Sequence, residues 1–61
     1  MRYYKIEKVF IHTSNEYDLG ALTETQMKQQ IKGFKLFQKL NDKTFVYNRK
    51  NCKYFYIVYE L

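Results

Sequence analysis

The side chains with the widest chemical repertoire are a single cysteine, Cys52, and a single histidine, His12. A thiol and an imidazole can act as nucleophile and base when a third group orients the pair. No such third group is predictable, and one cysteine with one histidine cannot complete a zinc site. The two glycines are isolated, so the glycine-rich type of phosphate-binding loop is absent. We therefore expect a protein that is not an enzyme, with no cofactor, metal or small-molecule substrate.

The charged residues offer a different chemistry, which is electrostatic binding. Eleven lysines and arginines stand against six acids, giving a formal net charge of +5. Spacings of four, three and four residues would place four lysines in one row along a helix: Lys28, Lys32, Lys35 and Lys39. A second basic cluster contains Arg49, Lys50 and Lys53. Such cations can contact nucleic-acid phosphates, orient an acidic protein, or simply form the solvated side of an amphipathic helix.

Length and composition limit the class of protein. A chain of 61 residues predicts one domain, 1–61, with a small core. An internal disulfide is impossible with one cysteine, so association with another chain, including a homodimer, is the expected source of extra stability. The longest apolar run is far too short to cross a membrane. A free thiol favours the reducing cytoplasm.

The order of patterns along the chain predicts a small α+β domain. A strand is expected over 2–13 and a turn-rich connection over 14–22. Thr23 followed by Gln26 forms a capping-box pattern, which predicts a helix over 24–40. The last third, 43–60, predicts a hairpin in which Asn51 is left-handed and Val46 faces Tyr54. The result is a β-α-β-β arrangement, a three-stranded and mainly antiparallel sheet with one amphipathic helix packed on one face.

This arrangement leaves one face of the sheet without a cover. The predicted helix carries an apolar stripe at Met27, Ile31, Phe34 and Phe37, and its expected contacts are Phe45, Phe55 and Ile57. The opposite face would then expose a partner-binding patch made of Val46, Tyr54, Tyr56, Val58 and Tyr3. Tyrosine is common in binding surfaces because it offers a large rigid ring and one hydroxyl group.

Two functional hypotheses follow from these patterns. The first is a small binding protein that inhibits or modulates an acidic or host-encoded protein, including a defence protein, through the aromatic face and its basic rim. Abundant lysine, asparagine, tyrosine and isoleucine without proline or tryptophan suit an AT-rich phage or mobile-element gene. The second is a dimeric nucleic-acid-binding regulator that uses the lysine row and the 49–53 cluster.

Overall fold

The computed structural model describes residues 2–61. Within that range it contains five strands and one short helix, and the elements run in this order: β1 (Tyr3–Phe10), β2 (Glu16–Thr23), α1 (Glu24–Gln30), β3 (Lys35–Asn41), β4 (Thr44–Asn48) and β5 (Tyr54–Glu60). The strands form one sheet in the order β2-β1-β5-β4-β3, and each neighbouring pair is antiparallel. The predicted three-stranded sheet is therefore wrong, because an additional strand lies at each edge.

The first additional strand, β2, arises from the segment that was predicted to be a connection. Its turn residues have other roles: Ser14 adopts a positive φ of 57° in the β1–β2 turn, which the backbone closes through hydrogen bonds between Phe10 and Ser14 or Asn15. Gly20, with φ of 82°, lies where the pairing of β2 with β1 shifts register. The glycine therefore marks a bulge inside a strand rather than a loop.

The helix begins where the sequence predicts and ends much earlier. The Gln26 backbone N–H donates to Thr23 Oγ1 at 3.3 Å, and the Thr23 N–H donates to Gln26 Oε1 at 3.0 Å, which confirms the capping box. The helix stops after Gln30, and Gly33 follows with φ of 87°. A left-handed glycine just beyond the last turn is a common helix stop, since a residue with a Cβ pays a steric cost there. The predicted helical bounds 24–40 are wrong for this reason, and the chain continues as β3.

The hairpin of β4 and β5 forms within the predicted 43–60, but in another register. Asn51 is left-handed as predicted, with φ of 62°. Val46 is paired with Ile57 and Tyr47 with Tyr56, so the register differs by three residues from the prediction. An odd shift moves β4 to the other side relative to β5, because side chains alternate along a strand. Val46 therefore shares a face with Ile57, not with Tyr56.

The core lies between α1 and one face of the sheet. Its five buried apolar residues are Tyr4, Ile6, Met27, Tyr56 and Val58. Ile6 and Val58 are directly opposite each other on β1 and β5, and fully burying such a side chain stabilises a fold by about 1.5–3 kcal/mol.

The segment that follows α1 extends this core. Phe34 packs on Tyr56 with ring centroids 4.7 Å apart, and Gln30 Nε2 donates to the Tyr56 hydroxyl at 3.2 Å. The helix thus covers the Tyr56 and Val58 side of the sheet. The predicted packing on Phe55 and Ile57 is wrong, whereas Phe45, which is paired with Val58, lies on the helix side.

This core makes a specific prediction about stability. Ile6→Val removes one methylene from a fully buried site, and we expect the free energy of unfolding to fall by about 0.5–1.5 kcal/mol. Leu36→Ala is the control, because Leu36 lies on the edge strand with 54% of its surface exposed, and its effect should stay within about 0.5 kcal/mol. Urea unfolding followed by circular dichroism measures both. A greater loss from Leu36→Ala would contradict the described core.

Candidate binding surface on the open sheet face

The sheet face opposite the helix, here called the open face, has its centre on β4 and β5. Its central side chains are Val46, Phe55, Ile57 and Tyr59, which share one side because Val46 is paired with Ile57 and the others are two residues from Ile57. Within residues 2–61, α1 packs against β1 and β2 from the other side. The open face therefore has no cover among the described elements.

A recess lies at the end of the open face next to the loop 49–53. It has a volume of about 180 Å³, and its lining includes Ile11, Phe37, Val46, Arg49, Cys52 and Phe55. The Ile11 backbone N–H donates to the Lys53 carbonyl at 2.9 Å, which fixes the end of β1 against this loop. Phe37 lies where the pairing of β3 with β4 shifts register, and 65% of its surface is exposed. The recess thus has an apolar floor and two exposed apolar residues, Ile11 and Phe37, at its rim.

A basic cleft of about 460 Å³ adjoins the recess. Its lining residues are Gly33, Lys35, Asn48, Arg49 and Lys50, so that it shares Asn48 and Arg49 with the recess. The β3–β4 pairing brings Lys35 directly opposite Asn48. The pairing therefore places Lys35 beside two cations that follow β4 in the chain.

The cations of the basic cleft have no acidic neighbour of their own. Among the described residues, the ion pairs within 4.0 Å join Arg2 to Glu60, Lys5 to Glu7 and Asp18, and Lys28 to Glu24. Between Glu24 and Glu60 the sequence contains one acid, Asp42, and it lies in the β3–β4 turn at the opposite end of β3. The positive charge of Lys35, Arg49 and Lys50 is therefore not neutralised within residues 2–61.

The other side of the open face is polar and neutralised internally. Lys5 Nζ lies 3.3 Å from Asp18 Oδ2 and 3.7 Å from Glu7 Oε1, and the Tyr59 hydroxyl donates to Glu7 Oε2 at 3.4 Å. Lys5 and Glu7 belong to this face because they are paired with Tyr59 and Ile57. This network bounds the apolar area on the β1–β2 side.

The network also sets the ionisation of its members. A hydrogen bond from the Gly20 N–H, followed by the hydrogen bond and charge of Lys5, lowers the pKa of Asp18. The Asp18 carboxylate in turn raises the pKa of Lys5. Burial, and then the charge of Glu7, raises the pKa of the Tyr59 hydroxyl. At neutral pH the Lys5–Asp18 pair is thus charged on both sides and compensated.

The predicted partner-binding residues are distributed over both faces. Tyr56 and Val58 are buried beneath the helix, and Tyr54 is half-buried on the same side, where Lys8 Nζ lies 4.1 Å from its ring centroid. Val46 and Tyr3 are on the open face, and Tyr3 lies towards the end away from the recess. The predicted patch is therefore not one continuous surface.

The predicted lysine row is also divided, because its residues do not share one helix. Lys28 is on α1 and Lys32 lies in the following turn, whereas Lys35 and Lys39 are on β3. Lys39 is paired with Phe45, and its Nζ lies 5.7 Å from that ring, on the helix side of the sheet. The structure instead groups Lys35 with Arg49 and Lys50, while Lys53 is exposed in the loop.

Sequence patterns do not reveal three residues of the recess. They predict core positions for Phe37, which is exposed, and for Phe55, which is half-buried in the recess, and no pattern distinguishes Ile11. The signals that could have found β3 are Gly33, as a helix stop, and Asn41-Asp42, as a hairpin turn. The Asn41 Oδ1 accepts from the Lys43 N–H at 2.9 Å, which stabilises this turn.

The chemically reactive side chains do not form a cluster. Cys52 is a free, half-buried thiol in the recess lining, and His12 is exposed in the β1–β2 turn. Across residues 2–61 no three His, Cys, Asp or Glu residues lie close enough together to hold a metal ion. The same range contains no helix with the length and apolar character needed to cross a membrane.

No protein-family model, curated protein or solved structure matches this chain.

The Asp18 network makes a prediction about acid stability. Because the folded-state pKa of Asp18 lies below its ordinary value of 3.8, its contribution to stability is present above that value and is lost as the pH falls through the folded-state pKa. Asp18→Asn keeps an oxygen that can accept from Gly20 but removes the charge. We expect urea unfolding at pH 2 to 7, roughly the range of carboxylate titration, to show a weaker pH dependence below about pH 4 in this variant. An unchanged acid slope would contradict the assigned role of Asp18.

Proposed function

We propose that this chain is a small non-enzymatic binding protein that binds an acidic protein partner through the open face and thereby modulates or inhibits it. The observation that supports this most is the position of the apolar recess directly beside the basic cleft. The two share Asn48 and Arg49, so a single partner surface could contact both at once.

Each part of this surface contributes a different property to binding. Apolar recesses that accept a large side chain provide most of the affinity in many protein interfaces. Cations at the margin increase the rate of encounter and fix the orientation of an acidic partner. Phe37 and Ile11 offer the apolar rim, whereas Lys35, Arg49 and Lys50 offer the charge.

The setting that we propose follows from composition. The AT-rich amino-acid usage suits a phage or mobile element, and the partner would then be a host or defence protein. The single free thiol, Cys52, suits the reducing cytoplasm. In this setting a small protein acts by occupying a surface on its partner, and it needs no catalytic group.

Nucleic-acid binding is the second candidate, and the basic cleft is the observation that favours it. Three unpaired cations beside exposed Phe37 resemble the combination of charge and ring stacking that holds single strands. The support is weaker because these cations lie at one end of the open face, and Lys5, which β1 contributes to the middle, is already ion-paired.

Affinity capture with two double variants tests the proposed function. Lys35→Gln with Lys50→Gln should reduce capture of an acidic protein from nuclease-treated bacterial lysate by about tenfold, the effect of roughly 1.4 kcal/mol. The matched control, Lys39→Gln with Lys43→Gln, removes the same charge away from the cleft and should keep capture. Phe37→Ser should also reduce capture, whereas Leu40→Ser on the same strand should not.

The outcomes separate the two candidates. If both double variants lose capture equally, the loss depends only on the net charge of the protein. That result would contradict a specific binding surface. Loss of capture after nuclease treatment, together with salt-dependent binding of a thymidine oligonucleotide, would favour the nucleic-acid alternative.

A further inference from the structure

The recess has room for one large side chain. Its volume is about 180 Å³, which corresponds to roughly six waters at about 30 Å³ each. Water beside the apolar part of the lining, which is Ile11, Phe37, Val46 and Phe55, finds few polar partners, whereas Asn48, Arg49, Cys52 and Tyr54 line the rest of the recess. Replacing poorly held water by an apolar group increases affinity, so the recess suits a leucine, phenylalanine or similar side chain.

The surroundings of the recess restrict the shape of the occupant. On one side, the Lys5–Asp18–Glu7 network already satisfies its own charges and gives no apolar contact area. On the other side lies β3, the edge of the sheet. The apolar area between these boundaries is a band on β4 and β5. It widens at the recess, where Val9 of β1 is paired with Phe55 and where Ile11 and Phe37 join the lining. Such a band fits one extended segment or loop better than the broad face of a second copy.

The position of the charges restricts the chemistry of the occupant. Lys35, Arg49 and Lys50 lie together at one end of the band, while the middle is formed by Val46 and Ile57. A nucleic-acid strand carries a charge on every nucleotide and would need cations along its path. A protein segment can place its acids beside one apolar residue, which matches the observed distribution.

We infer that the recess and the basic cleft form one two-part site for a short acidic protein segment. An apolar side chain of the segment fills the recess, and its neighbouring carboxylates contact Lys35, Arg49 and Lys50. This inference rests on the proposed function, since it specifies what the partner presents to the open face. Arg49 is central to the site because it lines both parts and its planar fork suits a carboxylate.

Titration of the isotope-labelled protein by NMR tests the inference with defined probes. The main probe is a blocked pentapeptide of sequence Glu-Glu-Phe-Glu-Glu. It should give saturable shifts at the amides of Phe37, Val46 and Arg49. Replacing its phenylalanine by alanine should weaken binding about tenfold or more, because the recess loses its occupant. Reversing its charge to Lys-Lys-Phe-Lys-Lys should weaken binding at least as much.

Protein variants supply the reciprocal control. Lys35→Gln with Lys50→Gln should weaken binding of the acidic probe about tenfold, whereas Lys39→Gln with Lys43→Gln should leave it unchanged. All four substitutions are at exposed positions, and an unchanged urea midpoint confirms that each variant is folded.

Several results would overturn the inference. These are no saturable binding of the phenylalanine probe, equal binding of the phenylalanine and alanine probes, or shifts that map away from the recess. Tighter binding of a thymidine oligonucleotide at the same amides would assign the site to nucleic acid. Concentration-dependent shifts of these amides without any probe would assign it to a second copy. If capture of a partner still depends on Lys35 and Lys50 while the probes fail, the proposed function stands and only the two-part site is wrong.

Discussion

The left-handed conformation at Gly33 is the constraint on which most of this fold depends. It ends the helix after two turns and allows Lys35–Asn41 to form an edge strand. A residue with a Cβ would pay about 1–2 kcal/mol for that conformation. Without this stop, Lys35 would remain on a helix and could not lie opposite Asn48. The basic cleft therefore exists because one glycine changes the direction of the chain.

The register of β4 and β5 then decides which side chains are buried beneath the helix and which lie on the open face. Pairing Val46 with Ile57 places both with Phe55 on the open face, while Tyr56 turns towards the helix. Tyr56 gains the contact with Phe34 and the hydrogen bond from Gln30. Side chains alternate between the two faces along a strand. A register shift by an odd number of residues would therefore move the helix-side residues of one strand to the open face, and its open-face residues to the helix side. The open face is thus a consequence of strand pairing rather than of composition.

The parts of this fold that the sequence predicts are those determined by neighbouring residues. The capping box of Thr23 and Gln26, and the left-handed Asn51, depend on contacts within a few positions. The end of the helix and the two edge strands do not. The stretch after Gly33 repeats apolar residues and lysines at spacings that suit a helix, and only pairing with β4 selects the strand. Tertiary contacts override local propensity in such segments.

The candidate site also combines features that neighbouring residues determine with features that only tertiary contacts determine. Lys35, Arg49 and Lys50 are each recognisable in the sequence as cations, but their spacing predicts two separate groups, the lysine row and the 49–53 cluster. Their meeting depends on β3, which local patterns did not reveal. Phe37 illustrates the reverse error, because a helical period assigned it to the core and the strand places it at the rim of the recess.

The basic cleft differs from the rest of the described surface because the ion-pairing acids lie elsewhere. The ion pairs of the described residues neutralise Arg2, Lys5 and Lys28, all away from the cleft. Like charges held near one another destabilise a fold by a few tenths of a kcal/mol per pair at an exposed surface. For a domain of this size, with a small core, such a cost is a noticeable part of the stability. A purely solvated surface could avoid it with one acid at a neighbouring position such as Asn48. The uncompensated cations beside an apolar recess are the reason for which we propose an acidic partner, whose carboxylates would remove the repulsion on binding.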